Sequence, residues 1–357
     1  MRTLFGTILA AAVAVTFHGV ASGAAITNAN DVTVNVELGS SWVGGVAPGA
    51  SDTAVFEAVS TTTRFTAGTD LSWYGFEWRH PADIDGVTGM GISGATGNET
   101  LTVGAGGMTF LPLNSGGVPR IYVGMPVVAS AAQTWKCLQN GAGHIYPHFL
   151  KPVTVNADLA LAVGRSAIIT MYEPVTMANG AKISVSGGPM AMSLILRDNA
   201  RVAGALEVAS GSTICLAHSA ASPTRFSDLL PSFANNCLFY LGGFEDYYSD
   251  YSTEILFGVG DALTTTATGT DRGESCLRVV DANVTVDGGS VRSRWFRLNN
   301  GRWTNRSGDT WFDYQNIIGC GTIDDRRAVK EAVFDVQGGT YTFRRIAVGV
   351  GNRDDIP

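Results

Sequence analysis

Two adjacent carboxylates, Asp324 and Asp325 in the run Gly321-Thr322-Ile323-Asp324-Asp325, are the residues best suited by type and spacing to acid–base work on a glycosidic bond. That reaction takes one carboxyl group to protonate the leaving oxygen and a second to activate water or attack carbon. Arg326 and Arg327 follow at once, so the run reads first as a solvated turn, and no catalytic residue is assigned from it. The densest acidic and aromatic stretch is Glu245 to Tyr251, where Asp246, Tyr247, Tyr248, Asp250 and Tyr251 are the candidate binding residues. Carboxylates there can coordinate calcium, and the tyrosine rings can stack on sugars. The spacing matches neither the EF-hand loop nor the glycine-rich nonapeptide calcium repeat, so the stretch is expected to be an exposed loop leaving the main body.

His144 and His148 stand four apart, the separation at which two helical histidines share a metal. Pro147 lies between them, and Gly141 and Gly143 precede, so a helix is excluded and the pair reads as turn histidines. No metal site and no cofactor is assigned. The chain has no G-x-S-x-G nucleophile elbow and no phosphate-cradling G-x-x-x-x-G-K-[ST] loop.

The elements that would position any such residues are strands. Of the residues 45% are hydrophobic and only 15% charged, with 44 glycines, a balance that suits stacked strands and tight turns better than helices. Apolar residues alternate with polar ones at Val32, Val34, Val36 and Leu38. The same period of two returns at Leu101 and Val103, Val153 and Val155, Leu206 and Val208, and Ile214 and Leu216. Short helices are expected only within Ser227 to Leu238 or Asp324 to Val333. The formal net charge of −7 argues against nucleic acid as a partner, because phosphate binding needs a concentrated cationic surface. Arg292, Arg294 and Arg297 are expected on a solvated sheet face.

Residues 1–24 read as a secretory leader: Arg2 supplies the charge, Leu4 to Val20 the short apolar core, and Ser22 and Ala24 the small residues before the expected cleavage. The mature chain, Ala25 to Pro357, contains no later apolar run long enough to span a bilayer as a helix. In an oxidising compartment the five cysteines, Cys137, Cys215, Cys237, Cys276 and Cys320, cannot all pair within the chain; one or two disulfides and a buried thiol are expected.

An internal repeat, apolar-x-Val-x-Gly-Gly, occurs at Ile183 to Gly188, Val284 to Gly289 and Phe334 to Gly339. Gly188 is followed by Asn199 and Arg201 at the offsets at which Asn300 and Arg302 follow Gly289, and a new apolar stretch begins soon after each pair: Leu194 to Leu196, Trp295 to Leu298 and Ile346 to Val348. A looser copy runs from Leu101 to Gly107. Strand, glycine corner and strand, repeated, predict an all-β parallel β-helix or β-solenoid of ~22 residues per coil, with a β-sandwich as the alternative. The chain divides into the leader and a single elongated domain over 25–357, with residues 25–70 as a capping segment.

The opening motif, Trp42-x5-Pro48-x3-Asp52-x-Ala54-x-Phe56, followed by the Leu101 to Gly107 run and the Gly-Gly repeats, resembles the autotransporter-associated β-strand repeat proteins of bacteria. The resemblance implies a passenger-like β-helix at or outside the cell, structural or adhesive rather than catalytic, with polysaccharide or cell-surface components as partners. The chain departs from that family in having no translocating barrel, and its end at Pro357 reads as that of a fragment. On this reading Trp42 and Phe56 cover an open solenoid end, with sugar stacking by Trp42 as the rival role, and Asp52 accepts backbone hydrogen bonds from the segment after it. Asp324-Asp325 also resembles an acidic pair of the polygalacturonase-like hydrolases, without their Gly-His-Gly or Arg-x-Lys companions. The expected function is thus a non-catalytic exported structural or adhesive module, against a carbohydrate-active β-helix enzyme or a lectin-like glycan binder.

Overall fold

The computed structural model describes residues 23–29, 34–57, 64–80, 90–112, 120–138, 145–164, 167–187, 193–209, 211–218, 223–235, 237–242, 253–265, 276–319, 332–344 and 346–348. They form a parallel β-helix. The backbone crosses three faces in turn, and each strand pairs in parallel with the strand on the same face of the next coil. On the first face Gln133–Cys137 lies beside Leu159–Val163, which lies beside Lys182–Gly187 and then Ala205–Val208. On the second, Arg120–Gly124, Tyr146–Phe149, Ile169–Met171, Leu194–Arg197, Thr213–Ala217 and Leu238–Gly242 follow one another. On the third, Val127–Ala129, Val153–Val155 and Val175–Met177 stack in register. The sandwich alternative fails on this point, since aligned sandwiches are built from antiparallel sheets.

Alternation fills the coil. Leu159, Leu161 and Val163 point inward and are buried while Ala160 and Ala162 face out, and inward residues of successive coils merge into one core running from Val36 to Ile318. Aromatic rings stack along that core: Phe56 on Trp78 at 5.3 Å, Trp135 on Phe149 at 4.7 Å, and Phe296 on Phe312 at 4.1 Å. Such pairs add roughly 0.5–1.5 kcal/mol each beyond the apolar area they bury. Coil length is uneven. Ser193 and Thr213 meet across coils only 20 residues apart, whereas Tyr240 and Arg278 meet across 38, because the corners admit loops of different size without disturbing the ladder.

The glycine corners take the place expected of them, with one change of phase. Gly260, Gly288, Gly308 and Gly339 all have φ near +90° (89°, 89°, 93° and 79°) at the corner between the third and first faces. A Cβ on Gly308 would lie 2.3 Å from the carbonyl oxygen of Gly289, so both the conformation and the close approach require glycine. The repeat copies at Val284 and Phe334 run along the third face into this corner, but the copy at Ile183 lies on the first face. The three downstream stretches, by contrast, all lie on the second face. The Ile183 match is therefore one of local strand-and-glycine chemistry, out of phase by one face.

At the N-terminal end Trp42 folds inward to 2% exposure, packs edge-on against Phe56 and Trp73, and donates its indole N–H to the Val36 carbonyl at 2.7 Å. A buried ring offers no face to a sugar, so the stacking role for Trp42 is discarded. Asp52 accepts from the Ala24 and Gly49 amides, tying back to preceding segments rather than to the one that follows. The short helix expected near Ser227 is Phe226–Leu229, which directly follows the two-residue strand Thr224–Arg225 on the third face. Cys137, Cys215 and Cys237 are buried free thiols, which excludes the arrangement with two disulfides; the side chains of Cys276 and Cys320 are not among those described.

Candidate functional site

The candidate loop residues Asp246, Tyr247, Tyr248, Asp250 and Tyr251, the Asp324-Asp325 pair and His144 all lie outside the described residues. His148 lies within them, in a place its sequence neighbourhood does not suggest. It sits in the strand Tyr146–Phe149 on the second face, with Ile145 and Phe149 turned into the core and Tyr146 and His148 turned outward. Alternation in the flanking strands likewise sends Arg120 and Tyr122 outward from Arg120–Gly124, and Thr170 from Ile169–Met171. Tyr172, the residue after Ile169–Met171, and Arg197, the last of Leu194–Arg197, lie on the same outer surface.

Register brings these groups together. Tyr122, His148 and Thr170 are direct cross-strand partners, and the row continues through Ile195, Cys215, Tyr240 and Arg278. The His148 ring lies between two tyrosines, with centroids 5.2 Å from Tyr122 and 5.8 Å from Tyr172. His148 Nδ1 is 3.0 Å from Tyr172 Oη, which also accepts a hydrogen bond from Arg197 Nη1 at 3.2 Å. The Arg197 guanidinium lies over the Tyr172 ring, 5.0 Å from its centre, and pairs with Asp198 at 3.6 Å.

His148 is only 2% exposed. Burial, with added repulsion from Arg120 and Arg197, lowers its pKa to about 3, so the imidazole is neutral near pH 7. One ring nitrogen then carries the proton. In the tautomer in which the Tyr172 hydroxyl donates to His148 Nδ1, the ring proton lies on Nε2. Nε2 and the hydroxyl of Thr170, on neighbouring strands, are both buried without a hydrogen-bond partner among the described residues. Leaving a buried donor unmet costs roughly 1–3 kcal/mol, a cost that a site with no further occupant would simply bear.

Further along the same face the outer surface becomes apolar. Ile168, Ile195, Cys215, Ala217, Leu238, Tyr240 and Val280 form a second buried cluster, separate from the solenoid core, with Tyr146 and Trp295 packed on it. The Cys215 thiol donates to the Gly242 carbonyl at 3.3 Å, and burial holds its proton firmly in place. Arg278 lies over Tyr240, 5.1 Å from the ring centre, so the guanidinium-on-tyrosine pair of Arg197 and Tyr172 occurs twice on this face.

Sequence reasoning reached His148 only as half of a metal pair and did not single out Arg120, Tyr122, Thr170, Tyr172 or Arg197. The local signal was present as polar residues at outward positions of strands, but nothing within one strand indicates which of them meet. Among the described residues no group of three or more His, Cys, Asp or Glu gathers in metal-ligating geometry. Comparison with protein families, curated proteins and solved structures finds no match to this chain.

Proposed function

We propose that this chain is an exported, non-catalytic β-solenoid that serves as a structural or adhesive module at the cell surface or outside the cell. The observation that carries this reading is the uninterrupted apolar core from Val36 to Ile318, closed at one end by Trp42. A body of this kind buries its apolar residues between coils and meets partners only with its outer faces. The leader-like residues 1–24 and the resemblance of the Trp42 to Phe56 motif to autotransporter-associated repeats support export and an extracellular setting.

The test has two parts. Expression of the full chain in a diderm bacterium, followed by cell fractionation and mass spectrometry, is expected to place it outside the cytoplasm with Ala25 as its first residue; an intact Met1 terminus on cytoplasmic protein would overturn export. A screen of the purified mature chain against plant, algal and mucin polysaccharides then reads retention and release of new sugar ends. Release that disappears in D324N/D325N would replace the non-catalytic reading with a carbohydrate-active enzyme.

A further inference from the structure

We infer that the outer surface of the second face, over Tyr122, His148 and Tyr172, binds an acidic polysaccharide by holding a sugar carboxylate between Arg120, His148 and Thr170. The inference deepens the adhesive reading and rests on it for the setting in which such a polymer is met.

Two donors lead to it. His148 Nε2, protonated when Tyr172 donates to Nδ1, and the Thr170 hydroxyl are buried, adjacent across one strand pair and without a hydrogen-bond partner among the described residues. The group that satisfies both is an oxygen acceptor, and its charge follows from its neighbours. Arg120 has no ion-pair partner among the described residues, and Arg197, whose charge Asp198 partly offsets, stands on the far side. The two guanidinium groups that disfavour a proton on His148 favour an anion beside it. On that flank His218 and Arg201 also face Asp198, burial holds His218 below the usual imidazole range despite that carboxylate, and Glu173 follows Tyr172 and accepts from Asn199 at 3.5 Å.

The carrier of the anion is read from the rings. Tyr122 and Tyr172, the half-buried rings on either side of the buried His148 at 5.2 and 5.8 Å, present the aromatic surface that packs against the C–H faces of sugars. Arg278, lying over the buried Tyr240, sets another guanidinium three strands further on, ~14 Å away at the ~4.8 Å step between strands, which suits a linear polyanion lying along the rod better than a single small acid. Nucleic acid also offers anions and rings, and the net charge of −7 disfavours either polyanion, so the single-stranded DNA arm of the experiment separates the two. Tyr122, Arg120 and Arg197 are half-exposed, so their side chains can turn aside to admit an oxygen without moving the coil.

Affinity electrophoresis of the purified mature chain through gels containing polygalacturonate, neutral dextran or single-stranded DNA tests the proposal. Polygalacturonate is expected to retard the protein, dextran not to, and DNA far less. R120Q and R197Q should each weaken retardation by about tenfold or more, as loss of one charge-assisted contact implies, and T170V by less. K182Q, on the first face, should leave it unchanged. Circular dichroism of each variant separates lost binding from lost fold. Retardation unchanged in both arginine variants, equal retardation by DNA, or none by polygalacturonate would overturn the inference. Export and leader processing, measured as above, would be untouched by that failure, so the adhesive setting and this ligand fail separately.

Discussion

The first and last described coils cover their apolar residues unequally. Strand edges and interior of an outermost coil face water unless something is laid over them. At the N-terminal end Trp42 turns in over Phe56 and Trp73 and its indole N–H is hydrogen-bonded, leaving the ring 2% exposed. In the last described coil Tyr341 is 47% exposed, Ile346 50% and Val348 76%, although Phe334 and Phe343 still pack on the core. The difference teaches that stacking alone does not bury the outermost large residues of a coil. Closure needs a chain segment that leaves the coil and returns a large side chain to the axis, as residues 39–52 do.

The contrast predicts a ranked set of effects. W42A should cost about 3–5 kcal/mol, read by denaturant unfolding, because it empties the cap and leaves the Val36 carbonyl without its donor. W311A, on the partly exposed surface of the C-terminal coils, should stay within about 1 kcal/mol; equal losses would erase the distinction between the ends. Next come the corner glycines. G308A meets both a left-handed φ and the Gly289 carbonyl, so it should cost about 2–4 kcal/mol. At Gly44, in the cap, φ is +90° but nothing lies within 4 Å, and G44A should cost only about 1–2 kcal/mol.

Between these lies a pH effect on the outer face. His148 is held neutral in the folded chain but takes a proton near pH 6.5 when unfolded, so the unfolded state binds more protons as pH falls below that value. Stability should therefore decline by about 2 kcal/mol from pH 6.5 to 5 and go on falling toward pH 3, and H148Q should flatten that part of the profile. A profile identical in the variant would mean that His148 is not held neutral. The smallest effect is expected for I346K/V348K, within about 0.5 kcal/mol of the parent in stability. Light scattering should nonetheless show weaker self-association, since charge replaces exposed apolar surface on an end coil.

Much of the scaffold was legible locally. The alternation at Leu101 and Val103 or at Val153 and Val155 marks half-buried strands whatever their partners, and glycine at Gly288 and Gly339 marks corners because few other residues adopt their φ. Trp42 and Phe56 could be read as an end cap for the same reason: large apolar residues at the start of a repetitive chain need something to cover. What was not legible is phase. Coils of 20 to 38 residues let the Ile183 copy of the repeat fall one face away from the copies at Val284 and Phe334, although the short motif is the same.

By itself, then, the sequence determined strands, corners and an apolar interior, since each depends on residues within a few positions of one another. The outer-face site was decided by tertiary structure alone. Tyr172 is 24 residues from His148 and 25 from Arg197, and they meet only because the coils between them have those lengths and pair in that register. Ladder hydrogen bonds fix neighbouring strands to the residue, while the corner loops that set coil length carry no period of their own. A slip of one residue in the pairing register of either strand would move a side chain from the outer surface to the core.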